Sequence, residues 1–203
     1  DLAALLTPLS KGWGTDMAVE LTGIAVQIHG GMGFVEETGV AQHYRDARIT
    51  TIYEGTNGIQ AIDLVGRKLG LQGGAVMKRH LDSIDSLISR LADHSELAGC
   101  RAALTKTLAA TREATNWLVA HGSNPHDLLS GATPYLRLLS VLTGGFLMAE
   151  SAVIAKDNAQ EVGADVVADR VASARFFCEQ LMPAADGLVP SITGDSSLLM
   201  TSI

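Results

Sequence analysis

The sequence predicts an all-α fold: an up-down helical bundle followed by a second helical bundle. Three observations predict it. Of 203 residues, 47% are hydrophobic but only 4% aromatic, with five prolines, a composition suited to helix-on-helix packing rather than sheet-on-sheet. Apolar residues recur every three or four positions over long windows. No internal repeat and no βαβ alternation interrupts them. Charged residues make up 18%, so a large core can be buried and disorder is not expected.

The elements follow in order. Thr7 is a good N-cap and Pro8 suits a first helical position, so a long helix is expected from Pro8 to His29. Its stripe is Leu9, Trp13, Met17, Leu21, Ile24 and Ile28, and tight helix contacts account for Gly12 and Gly14. The glycines of "GGMGF" (30–34) end it. A shorter helix is expected over Glu37–Arg45, and "DARITTIYEG" then reads as a partly extended connector. Thr56 caps a third helix, Asn57–Leu69, with Ile59, Ile62, Val65 or Gly66, and Leu69 as its apolar stripe. "GLQGG" (70–74) is the clearest linker, dividing residues 1–70 from residues 75–203. Beyond it, helices are expected near Ala75–Ala92, Glu96–His121, Thr133–Asn158 and Asp165–Ala185. A helical turn at His126–Leu129 interrupts them, and the Ser/Thr-rich end reads as irregular.

Charge and motif content exclude some functions. A formal net charge of −7 argues against nucleic acid, whose phosphates need clustered Lys and Arg. The six histidines lack metal-ligand spacing, so no metal site is expected. Cys100 and Cys178 form no CxxC pair, which suits a reducing compartment: the bacterial cytoplasm, or alternatively a mitochondrial matrix. "YLRLLSVLTGGFLMAESAVIA" (135–155) contains Arg137 and Glu150 and reads as a buried helix rather than a membrane span. The opening "DLAALLTPLS" has neither initiator Met nor signal-like region and suggests a piece of a longer polypeptide.

Two stretches invite chemistry. In "QIHGGMGF", the amides of Gly30, Gly31 and Gly33 can approach a phosphate closely, although the spacing is not GxGxxG and a structural helix stop explains them too. In "TTIYEGTNGIQ", Glu54 stands alone among apolar residues. An acid before a helix is favoured by the macrodipole. A catalytic base is the other reading, since burial beside Ile52 and Tyr53 favours the neutral acid while the helix end favours the charged one. Gly55 leaves space for a ligand to pass the backbone. Arg45, Asp46 and Arg48 of "YRDAR" read as an ion-pair cluster that locks the connector, and His29 and His43 as packing residues.

Together "AVQIHGGMGF" (25–34), "YRDARI" (44–49) and "IYEGTNGIQ" (52–60) resemble the C-terminal helical domain of the acyl-CoA dehydrogenase family. Glu54 also follows Gln27 at the family's interval of 27 residues. The match covers residues 5–70. "YLRLLSVLTGGFLMAESA" and "ASARFFCEQLMPAADGL" resemble the extension of a branch that includes enzymes of methylthio-propanoyl-CoA and of longer acyl chains.

The resemblance implies an FAD-dependent α,β-dehydrogenation of an acyl-CoA thioester to the 2-enoyl-CoA. Glu54 matches the base that removes the α-proton while the β-hydrogen leaves as hydride to the flavin. The base's own amide and a ribityl hydroxyl would stabilise the enolate. Gln27, Gly30 and Gly31, with Ile28 and His29 between them, match positions at the ADP part of FAD, in the family usually across a subunit interface. Thr56 and Gly58 match flavin-side positions, although many relatives carry Gln where this chain has Gly58. Gly55 matches a residue along the thioester. The family's N-terminal helical and β-barrel domains have no counterpart in these residues, so negligible activity is expected of this chain alone. A homo-oligomer, dimer or tetramer, and an electron-transfer flavoprotein as acceptor are further implications. The alternatives are a helical oligomerisation module without catalysis of its own, and a related flavoprotein that reacts with oxygen or performs non-redox chemistry.

Overall fold

The computed structural model describes residues 1–200, which are predominantly helical, with no strand among them. The end expected to be irregular is instead helical over Val189–Thr193 and Ser197–Met200, and its last residues, 201–203, lie outside the described residues. Helix α1 spans Leu2–Ile28, α2 Gly31–Phe34, α3 Val40–Thr50 and α4 Asn57–Asp63. After the glycine-rich turn come α5 (Ala75–Arg90), α6 (Ala98–Ala120), α7 (Pro125–Ser130) and α8 (Ala132–Asp157). Helices α9 (Ala159–Val162), α10 (Ala164–Phe176), α11 (Val189–Thr193) and α12 (Ser197–Met200) complete the order.

Helix α8 is the hub, packed against α1, α4, α6 and α10. It is long and apolar enough to cross a bilayer, yet 61% of its most apolar window is buried within the protein. Leu138, Leu139 and Leu142 are fully enclosed there, together with Tyr135, whose hydroxyl meets Thr115 Oγ1 at 2.7 Å. Close approach needs Gly145: a Cβ there would stand 2.3 Å from Met182 Sδ. One continuous hydrophobic cluster runs from Leu5 through Leu64 and Leu104 to Ile192, so residues on both sides of the glycine-rich turn share a core.

Several expected boundaries move. Helix α1 begins at Leu2, with Pro8 buried inside it and Asp1, not Thr7, at its N-cap. The Thr7 hydroxyl instead donates to the Ala3 carbonyl at 2.7 Å. An interior proline costs about 3 kcal/mol. Burying Leu5 and Leu9 on the same face, at about 1.5–3 kcal/mol each, offsets that. The connector after Arg45 is helical through Thr50, where Ala47 and Arg48 outweigh the β-branched residues that follow. Thr56 does cap α4, its Oγ1 accepting from the Ile59 amide at 3.3 Å. The helix continues past Asp63 as a π-turn over Leu64–Lys68. Its buried face is Ala61, Leu64, Val65 and Leu69, while Ile59 and Ile62 point outward. Gly12 meets Leu136 closely, as expected, but nothing crowds Gly14. Residues 72–74 all adopt left-handed backbone, so "GLQGG" is a tight turn rather than an extended tether.

Candidate active site

Glu54 lies in the turn between α3 and α4. Its backbone is left-handed, φ 53°, and Gly55 follows at φ 87°. A residue with a Cβ rarely adopts this conformation, and such strain gathers at functional positions. The expected burial is absent: Glu54 is exposed, and Ile49, Ile52, Tyr53 and Ile59 around it are each about half exposed. Sequence patterning registered an apolar neighbourhood but not that this chain leaves it uncovered. The Glu54 carboxylate and its backbone N–H bond to no other described residue.

The turn is anchored to α1 by residues that the sequence did not single out. Lys11 Nζ donates to the Gly55 carbonyl at 2.6 Å and to Asn57 Oδ1 at 2.9 Å. Asn57 Nδ2 donates to the Gly12 carbonyl (2.9 Å), Thr15 Oγ1 (3.0 Å) and Asp16 Oδ1 (2.7 Å). On the other side, the Asn57 amide donates to the Thr51 carbonyl at 3.2 Å, and Arg48 donates to the hydroxyl of the buried Thr51. Gly58 borders a cleft of about 430 Å³ between α1, α4 and α8, lined also by Trp13, Met17 and Arg137.

The glycine turn lies at the far end of α1. Gly30, at φ 59°, closes the helix in a conformation that glycine favours. Gly33 is fixed by packing, since a Cβ would sit 2.3 Å from the Val26 carbonyl oxygen. Gly31 has neither constraint, and nothing lies within 4 Å of where its Cβ would be. Gln27, Ile28 and His29 are exposed beside it. His29 Nδ1 donates to the Ala25 carbonyl at 2.9 Å. The Gly30 and Gly33 amides donate within the turn, to the Gln27 and Gly30 carbonyls at 3.1 and 3.0 Å, so a pyrophosphate approaching from outside fits at the uncrowded backbone of Gly31, where the turn carries no carboxylate. A largely apolar cleft of about 740 Å³ adjoins it between α1 and α3, bounded by Gly23, Phe34 and Tyr44. Arg45 pairs with Glu36 at 2.9 Å on the surface, an exposed contact of little energetic weight.

The structure does not bring the two sets together. Lys11, level with the Glu54 turn, and Gln27 are 16 residues apart on one continuous helix. At a rise of about 1.5 Å per residue that is about 24 Å. Thr56, Gly55 and Gly58 stay with Glu54, while Gln27–Gly31 form a separate surface.

Family comparisons decide what this arrangement belongs to. A model of the acyl-CoA dehydrogenase C-terminal domain matches residues 3–69, and one described as acetyl-CoA dehydrogenase C-terminal like matches residues 80–202. The chain belongs to the acyl-CoA dehydrogenase family. It is 37% identical over 207 residues to a 3-methylmercaptopropionyl-CoA dehydrogenase of Ruegeria pomeroyi, covering 99% of this chain and 35% of that protein. A butyryl-CoA dehydrogenase of Syntrophomonas wolfei is 30% identical, covering 95% of this chain and 32% of its own length. The chain thus spans about a third of these relatives. Among solved structures, Caenorhabditis elegans ACDH-11 in complex with C11-CoA aligns with TM-score 0.68 and 19% identity, over 89% of this chain and 30% of that one. A Bacillus anthracis acyl-CoA dehydrogenase complexed with FAD aligns with TM-score 0.65 and 19% identity, over 98% and 34%. At this identity the structural likeness establishes the shared all-α fold.

Proposed function

We propose that this chain supplies the base and part of the FAD cradle of an acyl-CoA dehydrogenase, with Glu54 as the base. The left-handed turn that presents Glu54 to solvent, in a family that dehydrogenates acyl-CoA thioesters, carries the reading. Glu54 removes the proton from the carbon α to the thioester. Bound FAD would supply the hydride acceptor for the β-hydrogen, which would give the 2-enoyl-CoA. The α-proton is too weakly acidic for a carboxylate in water, so charge on the thioester oxygen needs a donor. The Glu54 N–H, which bonds to no other described residue, supplies one. Gly55, with no side chain, leaves room for the thioester, and Thr56 and Gly58 face the flavin side. The exposed isoleucines beside Glu54 dry the pocket only once another surface covers them.

Gln27–Gly31 hold the ADP part of FAD. Their separation of about 24 Å from the Glu54 level of α1 favours service to a cofactor bound mainly by another subunit. Leu21, Ile24, Ile28, Met32 and Phe34 form an exposed apolar band at that end, which supports a homo-oligomer, dimer or tetramer. That band also favours the second reading, an assembly module, and both roles coexist in one chain. We divide the work at the glycine-rich turn: residues 1–70 carry the site, residues 75–203 buttress it. An electron-transfer flavoprotein is the proposed acceptor, and the acyl chain is set by surfaces outside these residues. Anaerobic mixing of the complete, FAD-loaded protein with a panel of acyl-CoA thioesters tests the reading. Bleaching of the flavin by at least one supports it, and no bleaching by any contradicts it.

A further inference from the structure

We propose that Lys11 is a positioning residue that sets the geometry of Glu54 through the Gly55 carbonyl. The inference rests on Glu54 being the base. The Glu54–Gly55 turn is intrinsically soft, because glycine holds φ 87° no more readily than its alternatives, and Glu54 is strained at φ 53°. Such a conformation persists only where the surroundings over-determine it. Lys11 Nζ, at 2.6 Å, is the one donor to the Gly55 carbonyl among the described residues. The same ammonium binds Asn57 Oδ1, and Asn57 is fastened to three acceptors on α1. The base is thereby referenced to a 27-residue helix rather than to its own loop.

A role in helix formation alone does not explain the lysine. Helix α4 already has its cap in Thr56 and its entry fixed by the bond from the Asn57 amide to the Thr51 carbonyl. The backbone atom Lys11 restrains lies within the turn that carries the acid. An ammonium suits this task, since it donates in several directions from a flexible stem that crosses part-buried surface.

The test uses the complete, FAD-loaded protein. Lys11→Met keeps the stem and removes the ammonium. We expect kcat to fall about 10²-fold, the effect of a displacement of about 1 Å at a reacting centre, with KM nearly unchanged. The primary isotope effect with α-deuterated acyl-CoA should rise, and amide hydrogen exchange should quicken only within residues 52–57. Lys11→Cys alkylated with bromoethylamine rebuilds an ammonium of similar reach and should recover both kcat and protection. Unchanged kcat and exchange in Lys11→Met overturn the proposal. So does protection lost throughout α1 and α4, which marks a general structural role. If Lys11→Met does not fold, Lys11→Gln is judged by the same outcomes. Glu54→Gln in the same assay separates the two claims. Full activity there removes the base itself, whereas loss there with full activity in Lys11→Met removes Lys11 alone.

Discussion

Replacing Glu54 with glycine should leave the protein more stable than replacing it with alanine, the reverse of their order in a helix. The reason is the left-handed backbone of Glu54, φ 53°. A side chain with a Cβ pays about 1–2 kcal/mol to stand there. Glycine avoids that strain, while its freedom in the unfolded chain returns about 0.5–1 kcal/mol. The net advantage of glycine over alanine is then about 0.7 kcal/mol, or about 2 °C in Tm for a chain of this size. Neither variant loses a hydrogen bond or ion pair to another described residue, because the Glu54 carboxylate makes none. Thermal melts and guanidinium midpoints of the two variants, at equal m-value, measure the difference. Alanine equal to or more stable than glycine would refute the assigned conformation, and with it the claim that strain is retained there to present an acid. Both variants should lack dehydrogenase activity in the complete protein.

Two further outcomes follow from other parts of the fold. Gly31→Ala should change stability by no more than about 0.5 kcal/mol, since nothing crowds its Cβ position, yet it should weaken FAD retention in the complete protein. FAD titration showing equal affinity would contradict the proposed cradle. Burial holds the His80 imidazole, whose Nε2 meets Thr143 Oγ1 at 2.9 Å, below its ordinary value of 6.5. As pH falls through 6.5 the unfolded chain gains a proton that the folded chain resists. The stability tied to the neutral ring is therefore complete above that pH and declines below it until the folded-state value is reached. His80→Gln should flatten this decline, and melting curves between about pH 7.5 and 5.5 that fall in parallel for both proteins would contradict it.

Much of the fold was legible because the long helices of the second half bury a continuous stripe in their own chain. The expected span near Thr133–Asn158 became α8, Ala132–Asp157. Pro8 misled because a local rule places proline at a helix start, whereas burial of Leu5 and Leu9 carries the helix through it. The stripe of Ile59 and Ile62 misled for another reason. Periodicity marks an apolar face but not which surface covers it, and these residues are exposed in this chain. The same limit hid the exposure of Glu54. The acid, the glycines and the Thr56 cap could be read from short motifs. Lys11 and Asn57 could not, because the contact between Lys11 and Gly55 spans 44 residues and appears only when α4 lies against α1.

The most direct test of Glu54 as the base is the rate of flavin reduction in the complete protein carrying Glu54→Gln, followed anaerobically after rapid mixing with an acyl-CoA that bleaches the wild type. The account predicts a variant that retains FAD and binds the thioester, but whose flavin stays oxidised. Bleaching at the wild-type rate would contradict it and assign proton removal to another group.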